Sequence, residues 1–408
     1  MIDVLHISTS DLNGGACRAA SRIHQAQLNG GLSSTFFANH KLSKDPTVIA
    51  PTGRSGRVKA SIRSFIDRLP ANRMLAKQPN PCSVNWLPSS LIPHKLIMTA
   101  DIVNLHFLGG AILPLSLAPV ATKPIVWTLH DMWAFNGIEH YSSEADEALW
   151  RHGHKNRQSW FDRLDQWAIK KKEKEWRKLN LTIVCPSNWL ADCARSSWLF
   201  RDRRIEVIPT SIDLDTYHPI AKRTAKEILG LDPERRHILF GADPANVASL
   251  RKGGDLLKAA LKYLSIAKTD VQIVMFGGFP ALSQLEGYDC IQLGSFTDDQ
   301  SLALVYSAAD CFVAPSRQDN LPNTVIESLA CGTPVVAFDI GGMPDMIDAN
   351  VGALAVPFEP KSLAASIDKV MACSNDRYQE ACRGKALRNF APGKVVETYL
   401  SLYEDLLK

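Results

Sequence analysis

The sequence lacks the patterns that mark several classes of protein. Its nine cysteines form no CxxC pair, so it offers no spaced zinc motif and no even set for disulfides. No uncharged apolar run is long enough to span a bilayer, and "MIDVLHISTS" has no basic leader before its apolar residues. These absences favour a cytoplasmic globular protein with reduced cysteines, no metal site and no cofactor.

The length and the charge distribution indicate more than one domain. A chain of 408 residues exceeds what one hydrophobic core usually serves. Residues 1–215 contain 27 basic and 19 acidic side chains, whereas residues 216–408 contain 19 and 23. Halves of opposite sign suggest two domains with different partners. The basic residues lack an interleaved aromatic platform, so nucleic acid is not an expected partner.

Short apolar runs alternate with helical patterns through most of the chain. "PIVWTLHD", "CFVAPS" and "PVVAFD" are nearly continuous in apolar residues, which is typical of strands covered by helices on both faces. Strand-helix alternation predicts parallel sheets with right-handed crossovers. We therefore predict an α/β fold of two doubly wound, Rossmann-like domains facing a central cleft. Their bounds are 1–208 and 209–390, with a final helix at 391–408 that packs back onto the first domain.

The stretch "PSRQDNLPNTVIESLACGTPVVAFDIGG", residues 315–342, places two carboxylates around a helix start. Pro322 can occupy the first helical position, which leaves the amides of Asn323 and Thr324 available to an anion such as phosphate. Glu327 lies one turn into the helix and Asp319 lies just ahead of it. The stretch predicts a diphosphate at the helix start with a carboxylate for sugar hydroxyls on each side. The alternative is an N-cap and an exposed helix acid.

Three further segments carry candidate site residues. In "RKGGDLLKAAL", Arg251 and Lys252 stand at a helix start, where two cations run against the helix dipole and can clamp phosphate oxygens. The alternative is a solvated basic turn. Gly14 and Gly15 form a tight loop after the first strand, which resembles a phosphate loop but is equally a plain turn. His130 ends the strand "VWTLH", where polar site groups belong in such folds, or where a buried histidine is simply hydrogen-bonded.

The combination of segments resembles glycosyltransferase family 4, whose members are retaining, nucleotide-sugar-dependent enzymes of the GT-B fold. The residue 315–342 block carries the most specific resemblance, and "TLHDMW", "PSNWLADCA", "IPTSID" and "RKGGDLL" support it. The bacterial exopolysaccharide and colanic-acid-type branch is the most similar. One departure concerns the family's Glu-x7-Glu pair, because its first acid is Asp319 here, one methylene shorter.

The resemblance implies a role for each matching residue. Glu327 would hold the ribose of the donor nucleotide, and Arg251 and Lys252 would neutralise its diphosphate. Asp319 and His130 would contact the transferred sugar. The remaining donor-binding positions implied by the resemblance are Gly14, Gly15, Asn320, Leu321, Asn323 and Thr324.

The implied reaction is hexosyl transfer from a nucleotide diphosphate sugar to a hydroxyl of a glycan acceptor, including a polyprenyl-diphosphate-linked one, in bacterial surface polysaccharide synthesis. Configuration would be retained and no metal would be needed, with Asp319, Lys252, Arg251 and His130 as the catalytic group. Two alternatives remain open. One is a sugar-nucleotide epimerase or phosphorylase on the same fold, and the other is an inactive homologue that serves as a scaffold.

Two basic stretches suggest contact with an anionic membrane. Residues 54–77 carry seven basic side chains against Asp67 alone. Residues 157–178 combine basic charge with Trp160, Phe161, Trp167 and Trp176. Basic charge beside interfacial aromatics suits peripheral docking at the inner face of the cell membrane. The alternative is a solvated helix face with its tryptophans in the core.

Overall fold

The computed structural model describes residues 2–51, 58, 62, 65–67, 69–70, 81–86, 92–109, 123–142, 144–145, 148–154, 159–241, 250–278, 284–373 and 375–408. The chain divides into two compact units. Unit 1 contains Met1–Ser211 and Gly393–Lys408, and unit 2 contains Ile212–Pro392. The last segment of the chain therefore packs with the N-terminal half.

Unit 1 is built on a parallel sheet of seven strands in the order β3-β2-β1-β4-β5-β6-β7. The strands are β1 (Asp3–Ser10), β2 (Ser33–His40), β3 (Val48–Ile49), β4 (Ile102–Leu105), β5 (Ile125–Thr128), β6 (Leu181–Cys185) and β7 (Ile205–Val207). Every residue of β4, β5 and β6 is buried, as expected of apolar strands covered on both faces. The order reverses between β1 and β4, so the carboxyl ends of these strands form the point where such sheets bind ligands.

The helices of unit 1 bury their apolar faces against this sheet. They are α1 (Gly15–Asn29), α2 (His94–Thr99), α3 (Leu149–His152), α4 (Trp160–Trp176), α5 (Asn188–Arg195) and, after the helices of unit 2, α13 (Pro392–Leu406). The phenols of Tyr399 and Tyr403 on α13 are fully buried and bond to the sheet through Thr128 and Asn104. Two aromatic side chains thus anchor the C-terminal helix on the N-terminal sheet.

Unit 2 also has a sheet of seven strands, of which six parallel strands repeat the unit 1 order from β3 to β6 and one antiparallel strand is added at the edge. Its strands are β8 (Arg236–Gly241), β9 (Val271–Phe276), β10 (Gln284–Leu285), β11 (Tyr288–Gln292), β12 (Cys311–Ala314), β13 (Val335–Phe338) and β14 (Gly352–Ala355). The order is β10-β11-β9-β8-β12-β13-β14, and only the β10–β11 pair among these described strands is antiparallel. The reversal here lies between β8 and β12. The predicted fold class of two Rossmann-like α/β domains is confirmed.

The helices of unit 2 connect these strands and cover both faces. They are α6 (Lys222–Ile228), α7 (Gly254–Leu261), α8 (Asp299–Ala308), α9 (Asn323–Ala330), α10 (Met343–Met346), α11 (Pro360–Met371) and α12 (Asn375–Asn389). A short 3-10 turn, Leu250–Lys252, precedes α7. The continuous apolar sequences of β12 and β13 lie at the centre of the core.

The two basic stretches have different outcomes. The seven basic residues of 54–77 lie outside the described residues. In the second stretch, Trp176 and Phe161 are buried in the core, so the expectation that all four aromatics face a membrane is wrong for these two. Trp160 and Trp167 are exposed on α4. In the part of the chain that the structure describes, no helix is both long and apolar enough to cross a bilayer.

Candidate functional site

The loop that follows β12 carries the first predicted carboxylate into a buried position. Asp319, Asn320 and Leu321 are all buried, although they lie outside regular secondary structure. Isolated burial of an ionised carboxylate is strongly unfavourable unless positive charge compensates it. The loop therefore requires cationic partners close to Asp319.

Those partners come from the 3-10 turn ahead of α7. The Lys252 ammonium donates to Asp319 Oδ2 at 2.6 Å, and Arg251 Nη1 lies 3.3 Å from the same oxygen. The Ser316 hydroxyl also donates to Asp319 Oδ2, at 3.2 Å. Burial alone would raise the pKa of Asp319, but the two cations and these hydrogen bonds outweigh it and lower the pKa to about 2. The Asp319 carboxylate is thus ionised at neutral pH.

Two glycines permit the close approach of the segments that carry this cluster. Gly253 has φ +69°, and a Cβ atom there would lie 1.8 Å from the Pro315 carbonyl oxygen. Gly341 has φ +59°, and a Cβ atom there would lie 2.2 Å from the Asp319 carbonyl oxygen. Only glycine tolerates both the backbone conformation and the contact. The second glycine of "RKGG", Gly254, is not required in this way, because a Cβ atom there would contact only Phe240 at normal distances.

An ion pair and two backbone bonds fix the turn to the loop. Arg317 makes a bidentate contact with Asp255, at 2.7 and 2.6 Å, and its amide donates to the Arg251 carbonyl at 2.7 Å. Arg251 Nη1 in turn donates to the Gln318 carbonyl at 2.9 Å. Arg251 and Lys252 therefore have defined positions. The alternative interpretation, a solvated basic turn, does not fit their limited exposure of 9% and 17%.

The helix start lies one residue later than the sequence suggests. Pro322 is the N-cap and α9 begins at Asn323, because Pro322 keeps an extended ψ of 126°. Asn323 and Thr324 are partly exposed in the first turn, where no side chain caps the helix. The amides of a helix start with no acidic side chain in its first turn favour an anion.

Glu327 is buried within α9 and is not an exposed helix acid. Its Oε2 accepts a hydrogen bond from the Tyr306 hydroxyl at 2.9 Å. Burial raises the pKa of Tyr306 well above its usual value, and the nearby Glu327 adds to this shift, so the phenol remains a donor. Tyr306 lies on α8 and thereby fixes the orientation of the Glu327 carboxylate.

In unit 1, Gly14 and His130 lie at the carboxyl edge of the sheet. Gly14 is the N-cap of α1 with φ +84°, so the turn after β1 needs glycine, and Gly15 is the first helical residue. His130 follows β5, is partly exposed, and its Nε2 lies 3.1 Å from Nδ1 of His106. The structure thus brings Arg251, Lys252 and Asp319 into direct contact in unit 2, while Gly14, Gly15 and His130 belong to unit 1.

A second polar cluster in unit 1 holds the loop after His130. The Asp131 carboxylate accepts from His140 Nδ1 at 2.6 Å, and His140 Nε2 lies 2.8 Å from the Ser83 hydroxyl. The buried Lys172 ammonium donates to the carbonyls of Trp133, Asn136 and Gly137, which follow Asp131 in the same loop. These contacts fix the backbone beside His130.

The sequence interpretation missed several of these partners. Ser316, Arg317 and Gly341 lie within the residue 315–342 block, but their contacts cannot be inferred before the chain is folded, and Tyr306 lies outside that block. His106 offered a signal, since it follows an apolar strand as His130 does. The described residues contain no group of three or more histidine, cysteine, aspartate or glutamate side chains placed to hold a metal ion.

Both halves of the chain match family models of glycosyltransferases. Residues 41–216 match the model described as "Glycosyltransferase Family 4". Residues 243–373, which contain the Arg251–Lys252–Asp319 cluster and Glu327, match "Glycosyl transferases group 1". The chain belongs to glycosyltransferase family 4.

Curated relatives of this family 4 chain are named D-inositol 3-phosphate glycosyltransferases. One from Segniliparus rotundus is 32% identical over 182 residues, which is 42% of this chain and 40% of the relative. One from Xylanimonas cellulosilytica is 30% identical over 225 residues, which is 50% of this chain and 52% of the relative. The matched region spans about half or less of these relatives. Their name does not support the predicted exopolysaccharide branch.

Solved structures share the fold of this family 4 chain over nearly its whole length. Sucrose-phosphate synthase from Thermosynechococcus elongatus has a TM-score of 0.66 at 16% identity, with 100% and 99% of the two chains covered. Anabaena Alr3699/HepE in complex with UDP-glucose has a TM-score of 0.63 at 14% identity, with 99% and 100% covered. WaaG, a glycosyltransferase involved in lipopolysaccharide biosynthesis, has a TM-score of 0.61 at 16% identity, with 97% and 99% covered. The architecture is the GT-B fold.

Proposed function

We propose that the protein transfers a hexosyl unit from a nucleotide diphosphate sugar to an acceptor hydroxyl, with retention of configuration. The observation that carries this proposal is the buried cluster of Lys252, Arg251 and Asp319 at the reversal point of the unit 2 sheet. Two cations held at such a point suit a diphosphate, whose charge grows as the glycosidic bond breaks. The adjacent uncapped start of α9 suits the same anion.

The chemistry follows from where charge develops. Departure of the nucleoside diphosphate leaves a cationic sugar ring and an anionic leaving group. Lys252 and Arg251 stabilise that anion without a metal ion, and Asp319 holds both cations in place before the donor binds. Glu327, oriented by Tyr306, holds the ribose hydroxyls. In front-face attack, the acceptor hydroxyl attacks the sugar on the face from which the nucleoside diphosphate departs, so the configuration is retained. The leaving phosphate accepts the proton of the acceptor hydroxyl.

The donor is the first point to test. One GT-B neighbour was solved with UDP-glucose, so UDP-sugars are the first donors to screen. Release of the nucleotide should require an acceptor, and the two acceptor classes to compare are inositol phosphates, from the names of the relatives, and polyprenyl-diphosphate-linked sugars. The anomeric proton signal in the product reports the configuration, and activity should survive a chelator.

Lys252 supplies the decisive variant. Lys252→Ala should lower kcat/KM by about 100-fold, which is a transition-state loss of about 3 kcal/mol, because diphosphate charge exists before reaction and grows during it. Lys258→Ala is the matched control, since Lys258 lies on α7 with 59% of its side chain exposed. Equal activity of the two variants would refute the phosphate clamp. Turnover of the donor without an acceptor would instead favour an epimerase or phosphorylase.

We also propose that α4 docks the protein on an anionic membrane. One face of the helix is exposed and combines aromatic with basic side chains: Trp160, Arg163, Trp167, Lys170 and Lys174. The spacing of three or four residues places them along one stripe. Interfacial tryptophans and basic charge suit anionic headgroups, and such docking would serve a lipid-linked acceptor.

Vesicle sedimentation tests this surface. The protein should sediment with vesicles of phosphatidylglycerol at low salt and not with phosphatidylcholine vesicles. Replacing Trp160 and Trp167 by alanine should release it, whereas Trp189→Ala on α5, whose indole is not part of this face, should not. A protein that stays in the supernatant with anionic vesicles does not use α4 in this way.

A further inference from the structure

One fully buried carboxylate joins the loops that follow the first two strands of unit 1. Asp11 comes directly after β1, and its Oδ1 and Oδ2 accept hydrogen bonds from the amides of Leu42 and Ser43, at 2.8 and 2.9 Å. The two amides are successive in the chain, and such a pair forms a concave site for an anion. Segments 31 and 32 residues apart in sequence are thereby joined at the carboxyl edge of the sheet.

The link between these loops depends on the charge of Asp11. Burial by itself raises the pKa of Asp11, but hydrogen bonds from Ser43 and from the backbone of Leu42 and Ser43 outweigh it, so the pKa lies below its ordinary value. The carboxylate is therefore ionised at neutral pH, and both of its oxygens accept. An asparagine could accept from only one of the two amides, because its other terminal atom is itself a donor.

Ser10 makes a second link between the same loops. Its hydroxyl donates to the His40 carbonyl, at the end of β2, at 2.9 Å and accepts from the Asn13 amide at 3.3 Å. The loop after β2 is also braced internally, since the Asp45 carboxylate accepts from the amide and the hydroxyl of Thr47, at 2.8 and 2.6 Å. The turn after β1 therefore rests on a loop that has a defined conformation of its own.

The turn that these links hold, residues 12–15, leads into α1 beside the point where the unit 1 sheet reverses its strand order. Ligands of such sheets bind at this point. Leu12 and Asn13 are exposed, and Gly14 has φ +84°. Because a turn that contains glycine has many accessible conformations when it is loose, its ordering on ligand binding would cost free energy. A turn that is fixed beforehand avoids that cost.

We propose that Asp11 is a positioning residue that links the turn at residues 12–15 to the loop after β2, so that the turn has its ligand-binding conformation before the donor binds. The effect on the donor rests on the proposed sugar transfer, whereas the link itself does not. Asp11 is fully buried and acts through Gly14 and Gly15 instead of by contact. Loss of the link should weaken donor binding more than the chemical step, because the turn would then have to be ordered as the donor binds.

Hydrogen exchange tests the link without any donor. In the parent protein, the amide protons of Leu42 and Ser43 should be protected. Asp11→Asn should accelerate exchange in residues 41–48 and also in residues 11–15. Unprotected amides at these two positions in the parent protein, which require no variant to detect, would overturn the inference. Unchanged exchange in a folded Asp11→Asn protein would overturn it as well.

Asp101→Asn is the matched control. The Asp101 carboxylate accepts the amide of Asp3 at 2.9 Å, so it also joins two neighbouring segments of unit 1 through a backbone amide. This contact lies at the amino edge of the sheet, because Asp3 begins β1 and Asp101 precedes β4. Asp101→Asn should leave exchange in residues 11–15 and 41–48 as it is in the parent protein.

Kinetics separate a positioning role from a merely structural one. With a UDP-sugar that supports transfer, Asp11→Asn should raise the donor KM about tenfold and change kcat by less than about threefold, while Asp101→Asn should stay within about twofold of the parent protein. Ser10→Ala, which removes only the second link, should raise the donor KM by a smaller factor. Faster exchange in residues 11–15 at an unchanged donor KM would overturn the positioning role. The expected exchange in a protein that transfers no sugar would overturn the proposed function alone.

Discussion

The ammonium of Lys252 lies 2.6 Å from Oδ2 of Asp319, and both side chains are largely buried. The two residues are 67 positions apart in sequence and meet at the point where the unit 2 sheet reverses its strand order. A residue predicted to bind the transferred sugar therefore also fixes a residue predicted to bind the diphosphate. A substitution of either residue should consequently disturb the position and the charge of the other.

Substitutions of Asp319 should act mainly on turnover. Asp319→Ala should lower kcat by ten- to a thousandfold, or about 1.4 to 4 kcal/mol of transition-state stabilisation, because it removes the carboxylate and releases Lys252 and Arg251. Asp319→Asn should retain more activity, since it keeps the size and part of the hydrogen bonding. Asp319→Glu should stay active with altered donor preference. Steady-state kinetics of the three variants show which of them retain activity. A normal kcat for Asp319→Ala would mean that the carboxylate has only a structural role.

The same carboxylate should make unit 2 sensitive to acid. Its pKa is about 2 in the folded protein against 3.8 for an ordinary aspartate, so its stabilising contribution is present above about pH 4 and is lost as the pH falls toward 2. The difference corresponds to about 2 kcal/mol. Hydrogen exchange in residues 315–330 should therefore accelerate between pH 4 and 2 beyond the intrinsic chemical effect. Asp319→Asn should remove this dependence, whereas Asp202→Asn, at an exposed carboxylate, should keep it.

Gly253 should not tolerate substitution by alanine, whereas Gly230, which has the same backbone conformation, should tolerate it. Gly253→Ala would place a Cβ atom 1.8 Å from the Pro315 carbonyl and force the turn away from the loop, so donor binding should be lost and the free energy of unfolding of unit 2 should fall by more than about 2 kcal/mol. Gly230 has φ +68°, and a Cβ atom added there would have no other atom within 4 Å, so Gly230→Ala should cost only about 1 kcal/mol. Denaturant unfolding compares the two, and similar losses would show that contact with Pro315 is unimportant.

Glu327 should affect donor binding more than turnover. Its assigned contact, the ribose, is remote from the breaking bond, so Glu327→Ala should raise the donor KM by more than it lowers kcat. Tyr306→Phe removes the hydrogen bond that orients Glu327, and it should raise KM in the same direction by a smaller factor. Titration calorimetry with the nucleotide checks both variants. A drop in kcat at constant KM would assign Glu327 to the reacting centre.

The sequence alone determined the strands, the fold class and the position of each candidate residue relative to the strand or helix next to it. Continuous apolar runs such as those of β12 and β13 form buried strands because helices cover both faces, and local pattern is sufficient for that inference. The position of Asp319 after a strand and before a helix was equally local. Its distance from Glu327 along the chain is fixed by the loop and one helical turn.

Tertiary structure decided the partners of those residues. The contacts of Asp319 with Lys252, of Glu327 with Tyr306 and of His130 with His106 join segments 67, 21 and 24 residues apart. No pattern within either segment specifies the other, because each contact forms only when the folded sheet and its helices bring distant segments together. The exposure of Trp160 and the burial of Trp176 on one helix were decided in the same way, by which face of α4 meets the core.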